Sequence, residues 1–418
     1  MPLPKDEAVK IAILLCSPAA VDSNLLQRHA HLPEPDATAR DASAALVALI
    51  RSAIAASGGA IPFARYMELA LYTPGLGYYS GGAQKFGADG DFVTAPEISP
   101  LFGQTLTRQV AQVCAVSAPR VLEFGAGSGK LAAHVLIELE RLGARCERYA
   151  ILELSGELRA RQRETITALA PQLAHKVEWL DALPENIEGC VIANEVLDAM
   201  PVHLITWRDA GACEQMVTAT ADGFAFAGRP LAADLKSDAN ALASEHALPD
   251  GYTSELHIAA RAWMRELAQR LTCGAALLID YGFPAAEYYH PQRATGTLKA
   301  HYRHHSLDDP FFWPGLTDIT AHVDFTAIAL AAQDAGLNVD GYTTQAHFLI
   351  HCGITQLLER ARPPDEATGS RTYLGAANQV QRLLSPAEMG ELFKVLMVSK
   401  GVSHDWLGFV GGNRVHTL

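Results

Sequence analysis

Basic charge is in short supply. The 418 residues carry 33 Lys and Arg against 46 Asp and Glu, a formal net charge of −13 with histidine neutral. A basic face for nucleic acid is therefore disfavoured, and a positively charged partner is easier to accommodate, although solubility alone would explain the same balance. Long apolar runs are missing as well. None reaches the roughly 18 residues that suggest a membrane span, so no membrane insertion is expected. The apolar run at 9–15 is short and has no small-residue cleavage site, which argues against a signal core. The seven cysteines (Cys16, Cys114, Cys146, Cys190, Cys213, Cys273 and Cys352) are scattered, odd in number and without a C-x-x-C pair. That pattern points to a reducing compartment and away from zinc. Internal repeats and low-complexity blocks are absent. At 49% hydrophobic, the chain has core enough for one large domain or two ordinary ones.

The most informative stretch is Arg120-Val121-Leu122-Glu123-Phe124-Gly125-Ala126-Gly127-Ser128-Gly129-Lys130-Leu131. Short apolar residues run into a glycine cluster, and a helical pattern follows. This is the strand–turn–helix that opens an α/β sheet, where glycines admit a ligand close to the backbone and a helix N-terminus offers it N–H groups. A phosphate-binding P-loop would need glycine at 124 and Ser or Thr at 131, where Phe124 and Leu131 stand. A dinucleotide turn would need a small residue at 130, where Lys130 stands. The remaining pattern, Glu123-x-Gly125-x-Gly127-x-Gly129, suits a ligand with a cationic amine and no phosphate. S-adenosylmethionine is such a ligand; a glycine-rich turn without any ligand is the plainer alternative.

Along the chain, residues 1–40 read as a loosely attached arm. Helices are expected at 42–56, from 61 to about 71, and at 100–116. The glycine- and aromatic-rich stretch 75–100 lies among them, and the whole 41–118 segment can fold over a sheet as a lid. From 119 strands and helices alternate: strand 120–124, helix 129–142, strand 149–154, helix 155–168, then strands 177–180 and 190–194. That alternation predicts a mainly parallel sheet. Hairpins are expected over 203–231, a long helix at 254–271, a buried strand at 275–280 and a second aromatic- and histidine-rich insertion at 283–322. The remainder reads as helix 323–335, strand 344–351, helix 354–362, a helix from Pro386, a strand near 393–398 and a closing strand 406–410.

In an open parallel sheet, ligands sit beyond the carboxyl ends of the strands. Glu123 lies at the first such end, Glu153 at the second, Asp181 at the third, and Asn194, Glu195 and Asp198 at the fourth. Glu153 is placed to accept both hydroxyls of a ribose. Asp181 can accept from an adenine amino group, with Trp179 or Leu180 covering the ring. Glu123 can answer the amine of a methionine moiety through water. Glu195 and Asp198, with Asn194, stand where a methyl acceptor would be held, and they could equally cap the next helix; the residues alone leave both open. A guanidinium acceptor would arrive charged, its pKa above about 12, and carboxylates there would offset its repulsion from a sulfonium. His301, His304 and His305 near Asp308 and Asp309 read as a solvated loop rather than a metal site. Asp318 and Asp324 are substrate-side candidates, Thr320 doubling as a possible cap.

Several longer stretches carry a resemblance: Gly77-Tyr78-Tyr79, the run Gly90-Asp91-Phe92-Val93-Thr94-Ala95-Pro96-Glu97-Ile98-Ser99 with Phe102-Gly103, and Asn194-Glu195 with Asp198-Ala199-Met200-Pro201-Val202. Asp280-Tyr281-Gly282, Asp318-x-Thr320-Ala321-His322-Val323-Asp324-Phe325 and Gln345-x-x-Phe348-Leu349 extend it. The chain resembles the MidA family, which includes a mitochondrial complex I assembly factor that methylates arginine. The likeness spans about 45–412.

The resemblance implies a class I S-adenosylmethionine-dependent methyltransferase, a Rossmann-like α/β fold, over 119–418 with insertions at about 203–250 and 283–322. It implies S-adenosyl-L-methionine as cofactor, held by Glu123, Gly125, Gly127, Gly129, Glu153, Asp181 and Asn194. It implies catalysis by Glu195, Asp198 and Asn194 on a protein carrying an accessible arginine, with symmetric dimethylation and a complex I subunit or its counterpart as target. Tyr78, Tyr79, Asp91, Thr94, Glu97, His305, Asp318 and Asp324 are the substrate-side candidates. The expected setting is cytoplasmic in a bacterium and the mitochondrial matrix in a eukaryote, with a homodimer as one expected assembly. Two rival readings are a small-molecule methyltransferase and a non-catalytic assembly factor that binds the donor.

Overall fold

The structure, a computed structural model, describes residues 32–81, 94–362 and 366–418. Asp91 and most of the Gly90–Ser99 motif before Thr94 lie outside the described residues, as does the arm up to residue 31. The chain divides into two compact units that interleave along the sequence. One comprises the described residues up to 81 with Ala199–Ala259 and Ala286–Ala321; the other runs from 94 to Asp198 and takes in Ala260–Ala285 and His322–Leu418. The 41–118 segment is thus shared between the units, and the 203–250 and 283–322 insertions join its first part.

The larger unit is built on seven main strands: β1 (Arg120–Phe124), β2 (Arg148–Leu152), β3 (Val177–Leu180), β4 (Ile187–Asn194), β5 (Leu271–Phe283), β6 (Asn338–Thr344) and β7 (Phe393–Lys400). Their order across the sheet is β3-β2-β1-β4-β5-β7-β6. Neighbours from β3 to β5 pair in parallel, and β7 runs antiparallel to both β5 and β6. Central strands read as unbroken apolar runs because helices cover both faces: Cys190–Ala193 and Ala275–Ile279 are buried throughout. Helices α1 (Pro100–Val116), α2 (Lys130–Arg141) and α3 (Gly156–Leu169) supply cover. Leu101, Phe102, Leu106, Val110 and Val113 of α1 and Leu131, Val135, Leu136 and Leu139 of α2 enter the core cluster with β1, β4 and β5. Each apolar set repeats at three and four residues, as a one-faced helix requires. Ser155 caps α3, its Oγ accepting from Leu158 N at 3.3 Å. The strand order reverses at β1 and β4, which opens a crevice at their carboxyl ends.

Several expected elements take another form. Residues 344–351 do not form a strand: β6 ends at Thr344, whose Oγ1 accepts from His347 N and starts a helix, Gln345–His351, that buries Phe348 and Leu349. The helix expected from Pro386 lies before it, at Glu366–Leu384. Residues 406–410 make a 3-10 turn at Leu407–Phe409 rather than a strand. The long helix at 254–271 is a strand, Thr253–Leu256, followed by helix Ile258–Arg270. Val323–Asp324 is a short strand parallel to the end of β5. The first helix begins at Ala37, where Asp36 caps it, inside what had read as an arm. Helix Ala233–His246 gave little sequence signal because it buries only Leu235 and Ala239.

The smaller unit packs helices Ala37–Ala56 and Phe63–Tyr72 against an antiparallel sheet in the order Ile61–Pro62, Cys213–Ala219, His203–Thr206, Thr253–Leu256, with Phe224–Pro230 on Cys213–Ala219. Leu46, Ile50, Phe63, Tyr66 and Met67 share its core with Leu204, Val217, Phe224 and Ile319. A three-stranded sheet, His305–Leu307 and Asp318–Thr320 flanking Lys299–Tyr302, belongs to the same unit. Its preceding loop is held by Glu255, fully buried, which accepts from Thr297 N at 2.7 Å, Leu298 N at 2.8 Å and Tyr288 Oη at 2.7 Å. Among the described residues, no helix is long and apolar enough to cross a membrane.

Candidate active site

At the β1 end the chain bends with Gly125, Gly127 and Gly129 at φ 60°, 51° and 85°. This left-handed region is open to glycine at little cost. The three glycines differ in what surrounds them. A Cβ at Gly127 would meet nothing within 4 Å, whereas one at Gly129 would lie 3.0 Å from the Gln162 Cα. Gly129 therefore admits α3, and Gly127 faces open space.

Gln162, fully buried on α3, ties three strand ends together. Its Nε2 donates to Gly127 O and to Glu153 Oε2, each at 3.1 Å, and its Oε1 accepts from Trp179 Nε1 at 2.8 Å. Arg159, one turn earlier on α3, makes a parallel set of ties. It donates to Glu153 O, Leu180 O and Asp181 Oδ1, each at 2.6 Å. The expected donor-side residues Gly127, Glu153 and Asp181 are thus linked through α3. Asp181 itself is a surface group, its side chain 91% exposed. Trp179 turns its ring beneath the Arg163 guanidinium, 4.4 Å away. Leu154, directly after Glu153, is an apolar group left open at the β2 end, 80% exposed; Trp179 and Leu180, expected to cover the ring, are half-buried.

The two carboxylates beside the glycine turn are buried. Glu123 accepts from Tyr149 Oη at 2.7 Å. Burial pushes its pKa up to about 7, the tyrosine hydrogen bond opposing and the Glu153 charge adding to the rise. Burial also raises Glu153, against hydrogen bonds from Ser155 N and Gln162. Glu97 lies 31 residues upstream of the turn and joins it: it accepts from Ser128 Oγ and pairs with Lys130 Nζ at 2.6 Å. That contact makes Glu97 a support of the glycine turn.

At the β4 end, Asn194 Nδ2 donates to Glu195 Oε1 at 3.1 Å. Glu195 has φ 53°, rare for a residue other than glycine. The turn that follows donates three consecutive backbone N–H groups to Asp280 Oδ2, from Val196 at 3.2 Å, Leu197 at 2.9 Å and Asp198 at 3.2 Å. Burial raises Asp280 well above the usual carboxylate range, the Asp198 and Glu195 charges adding to it and the N–H donors opposing. Asn194, Glu195 and Asp198 are therefore brought together as expected of neighbours, with Asp280 as a fourth member. Asp280 was visible only as part of the Asp-Tyr-Gly motif.

The substrate-side candidates separate. Tyr78, Tyr79 and Asp318 gather in the smaller unit, where Tyr79 Oη donates to Asp318 Oδ1 at 3.0 Å and Tyr78 packs edge-on to Tyr79. His305 is exposed on the edge of the three-stranded sheet. Thr94 and Asp324 belong to the larger unit, each preceding a helix; Asp324 caps its helix through Ala327 N.

A nucleoside donor with a cationic amine fits this edge. Open space faces Gly127, an exposed leucine follows Glu153, two buried carboxylates flank the turn, and Asn194 Oδ1 is buried without a hydrogen-bond partner among the described residues. Comparison with known proteins agrees. Residues 101–343 match the model of a family of S-adenosyl-L-methionine-dependent methyltransferases. Fold, glycine turn and match define the class: a class I methyltransferase that uses S-adenosylmethionine.

The chain belongs to that family, the MidA type its motifs resemble. It is 30% identical to the mitochondrial protein arginine methyltransferase NDUFAF7 homologue of Drosophila melanogaster, over 88% of each chain. It is also 30% identical to NDUFAF7 of Mus musculus, over 81% of this chain and 80% of that one. A protein from Burkholderia thailandensis, solved bound to S-adenosyl-homocysteine, is 53% identical with a TM-score of 0.88, covering 93% of this chain and all of its own.

Proposed function

We propose that this methyltransferase acts on the ω-nitrogens of arginine in a protein. Symmetric dimethylation is the expected product, and a respiratory complex I subunit or its counterpart the expected target. The observation that carries the reading is the acidic turn after β4: Glu195 and Asp198 stand on it, and its three N–H groups are taken up by Asp280. A guanidinium is always charged at working pH, and such a turn is suited to receive it. The names of the relatives, protein arginine methyltransferases, point the same way.

On this reading Gly125 and Gly127 let the donor approach the chain's backbone, Glu153 accepts from ribose hydroxyls, Glu123 answers the amine, and Leu154 with Asp181 meets the adenine. Bound there, S-adenosylmethionine supplies an electrophilic methyl group on a sulfonium. In-line transfer needs alignment more than a strong base. Glu195, oriented through Oε1 by Asn194, holds the guanidinium, offsets the repulsion between two cations and takes the proton the nitrogen loses; Asp198 holds the second edge. Incubation with labelled donor and a purified complex I core subunit, followed by mass spectrometry, tests this. Label on arginine is expected. Label confined to other residues or to small molecules, or none at all, would contradict it.

A further inference from the structure

We propose that Asp280 is a positioning residue for methyl transfer, clamping the turn from which Glu195 and Asp198 project. It rests on the reading of those two carboxylates as the acceptor-holding pair. The argument begins with register. Strands β4 and β5 run parallel with Asn194 opposite Ile279, and Glu195 N donates to Ile279 O at 2.8 Å. One residue further, β5 still continues while the other chain turns away. Asp280 is therefore the first β5 side chain that can reach beneath the turn.

It does so with both oxygens engaged. Oδ2 accepts from Val196, Leu197 and Asp198 N–H, and Oδ1 accepts from its neighbour Tyr281 N at 2.9 Å. Three successive N–H groups aimed at one point form an anion-binding nest. Here the nest is filled by a carboxylate only 1% exposed, so an anionic group of a substrate finds no donors there.

The platform beneath is rigid. Gly282 runs so close to the strand Val323–Asp324 that a Cβ would lie 2.1 Å from Val323 O, and Tyr281 packs edge-on to Phe393 at 5.4 Å. Glu195 keeps its left-handed φ because the residues on either side are tied down: Asn194 in the sheet and 196–198 by Asp280. Without the clamp, three N–H groups, those of Leu197 and Asp198 buried, lose their acceptor, and the glutamate has less reason to stay in a conformation its side chain disfavours.

The consequence for specificity is a matter of sign. The turn's donors at 196–198 face inward to Asp280, so the turn offers those N–H groups to no carboxylate or phosphate ester, and a cationic nitrogen is the acceptor compatible with it.

The test uses the full chain loaded with S-adenosyl-homocysteine, comparing native protein with Asp280→Ala, Asp280→Asn and Glu195→Gln. Amide hydrogen exchange across 195–198 should accelerate at least about tenfold in Asp280→Ala, with β4 still protected. Asparagine, which keeps an acceptor oxygen, should restore part of that protection. Turnover on the complex I subunit should fall about a hundredfold in Asp280→Ala, as expected of misplaced reacting groups, while homocysteine-nucleoside affinity stays within about twofold. Glu195→Gln should lose turnover yet keep slow exchange. Fast exchange with native turnover in Asp280→Ala would overturn the proposal, and so would a loss of nucleoside affinity parallel to the loss of turnover. Should the alanine variant not fold, Asp280→Asn decides: faster exchange across 195–198 with lowered turnover supports the clamp, whereas native exchange, whether turnover is native or lost, would overturn it. Native turnover in both Glu195→Gln and Asp198→Asn would sink the acceptor reading itself, whatever Asp280 does.

Discussion

The turns after β1 and β4 leave the same edge of one sheet, and they are held in opposite ways. The β1 turn bends at glycines, and the neutral Gln162 amide catches its carbonyl oxygen at Gly127. The β4 turn bends at a glutamate, and a buried carboxylate catches its N–H groups. The first is fitted to let a ligand approach the backbone; the second withdraws its backbone donors and presents charge. On the proposed reading, one sheet tells a cationic donor from a cationic acceptor because one turn recognises shape and the other sign.

The sharpest way to break this contrast is Glu195→Gln. Label transfer should fall by about two to three orders of magnitude, with no change in donor affinity, since the substitution leaves the glycine turn untouched. Next in size is the pH response of Glu123. Its folded pKa of about 7 stands above the ordinary 4.5, so the native state holds an extra proton between those values. The stability it confers is full below about pH 4.5 and is lost as pH rises through about 7, a loss of about 3 kcal/mol at most. Denaturant melts of ligand-free protein at about pH 5 and pH 8 should show that loss in the native chain and not in Glu123→Gln. Gln162→Ala should cost about 2 kcal/mol of stability, because Glu153, Gly127 O and Trp179 all lose a buried partner; calorimetry should show weaker donor binding, and the β4 turn should keep its exchange rates. The smallest effect belongs to Gly127→Ala, whose Cβ would meet nothing within 4 Å: about 1–2 kcal/mol from left-handed backbone strain, read as a lower melting temperature with the turn after β4 intact.

The glycine turn after β1 was legible because it is local. Glu123, Gly125, Gly127 and the helix after them lie within a few residues, and the spacing alone ruled out phosphate-binding turns. The alternation of β1 to β4 with α2 and α3 was readable for the same reason. The turn after β4 was half legible. Glu195 and Asp198 stood out at a strand end, but the residue that holds them lies 84 positions from Val196, and nothing in its neighbourhood announces a carboxylate that reaches back across β5. Gln162 was silent too, a polar residue in the middle of a helix whose three partners come from three other segments. Residues 344–351 misread as a strand because Thr344 both ends β6 and caps the next helix, so apolar alternation ran on across the boundary. The interleaving of the two units was hidden because Asp318 and Asp324 share one motif yet fold into different units. Long-range closure, rather than local pattern, is what the sequence conceals.

The central claim is that donor and acceptor are held by separate carboxylates at successive strand ends, Glu153 for one and Glu195 for the other. Titration of S-adenosyl-homocysteine into native protein, Glu153→Ala and Glu195→Gln, followed by calorimetry, tests it most directly. Affinity should fall at least about tenfold in Glu153→Ala, through loss of a buried hydrogen-bond acceptor, and stay native in Glu195→Gln. Native affinity in Glu153→Ala, or an equal loss in both variants, would contradict the account.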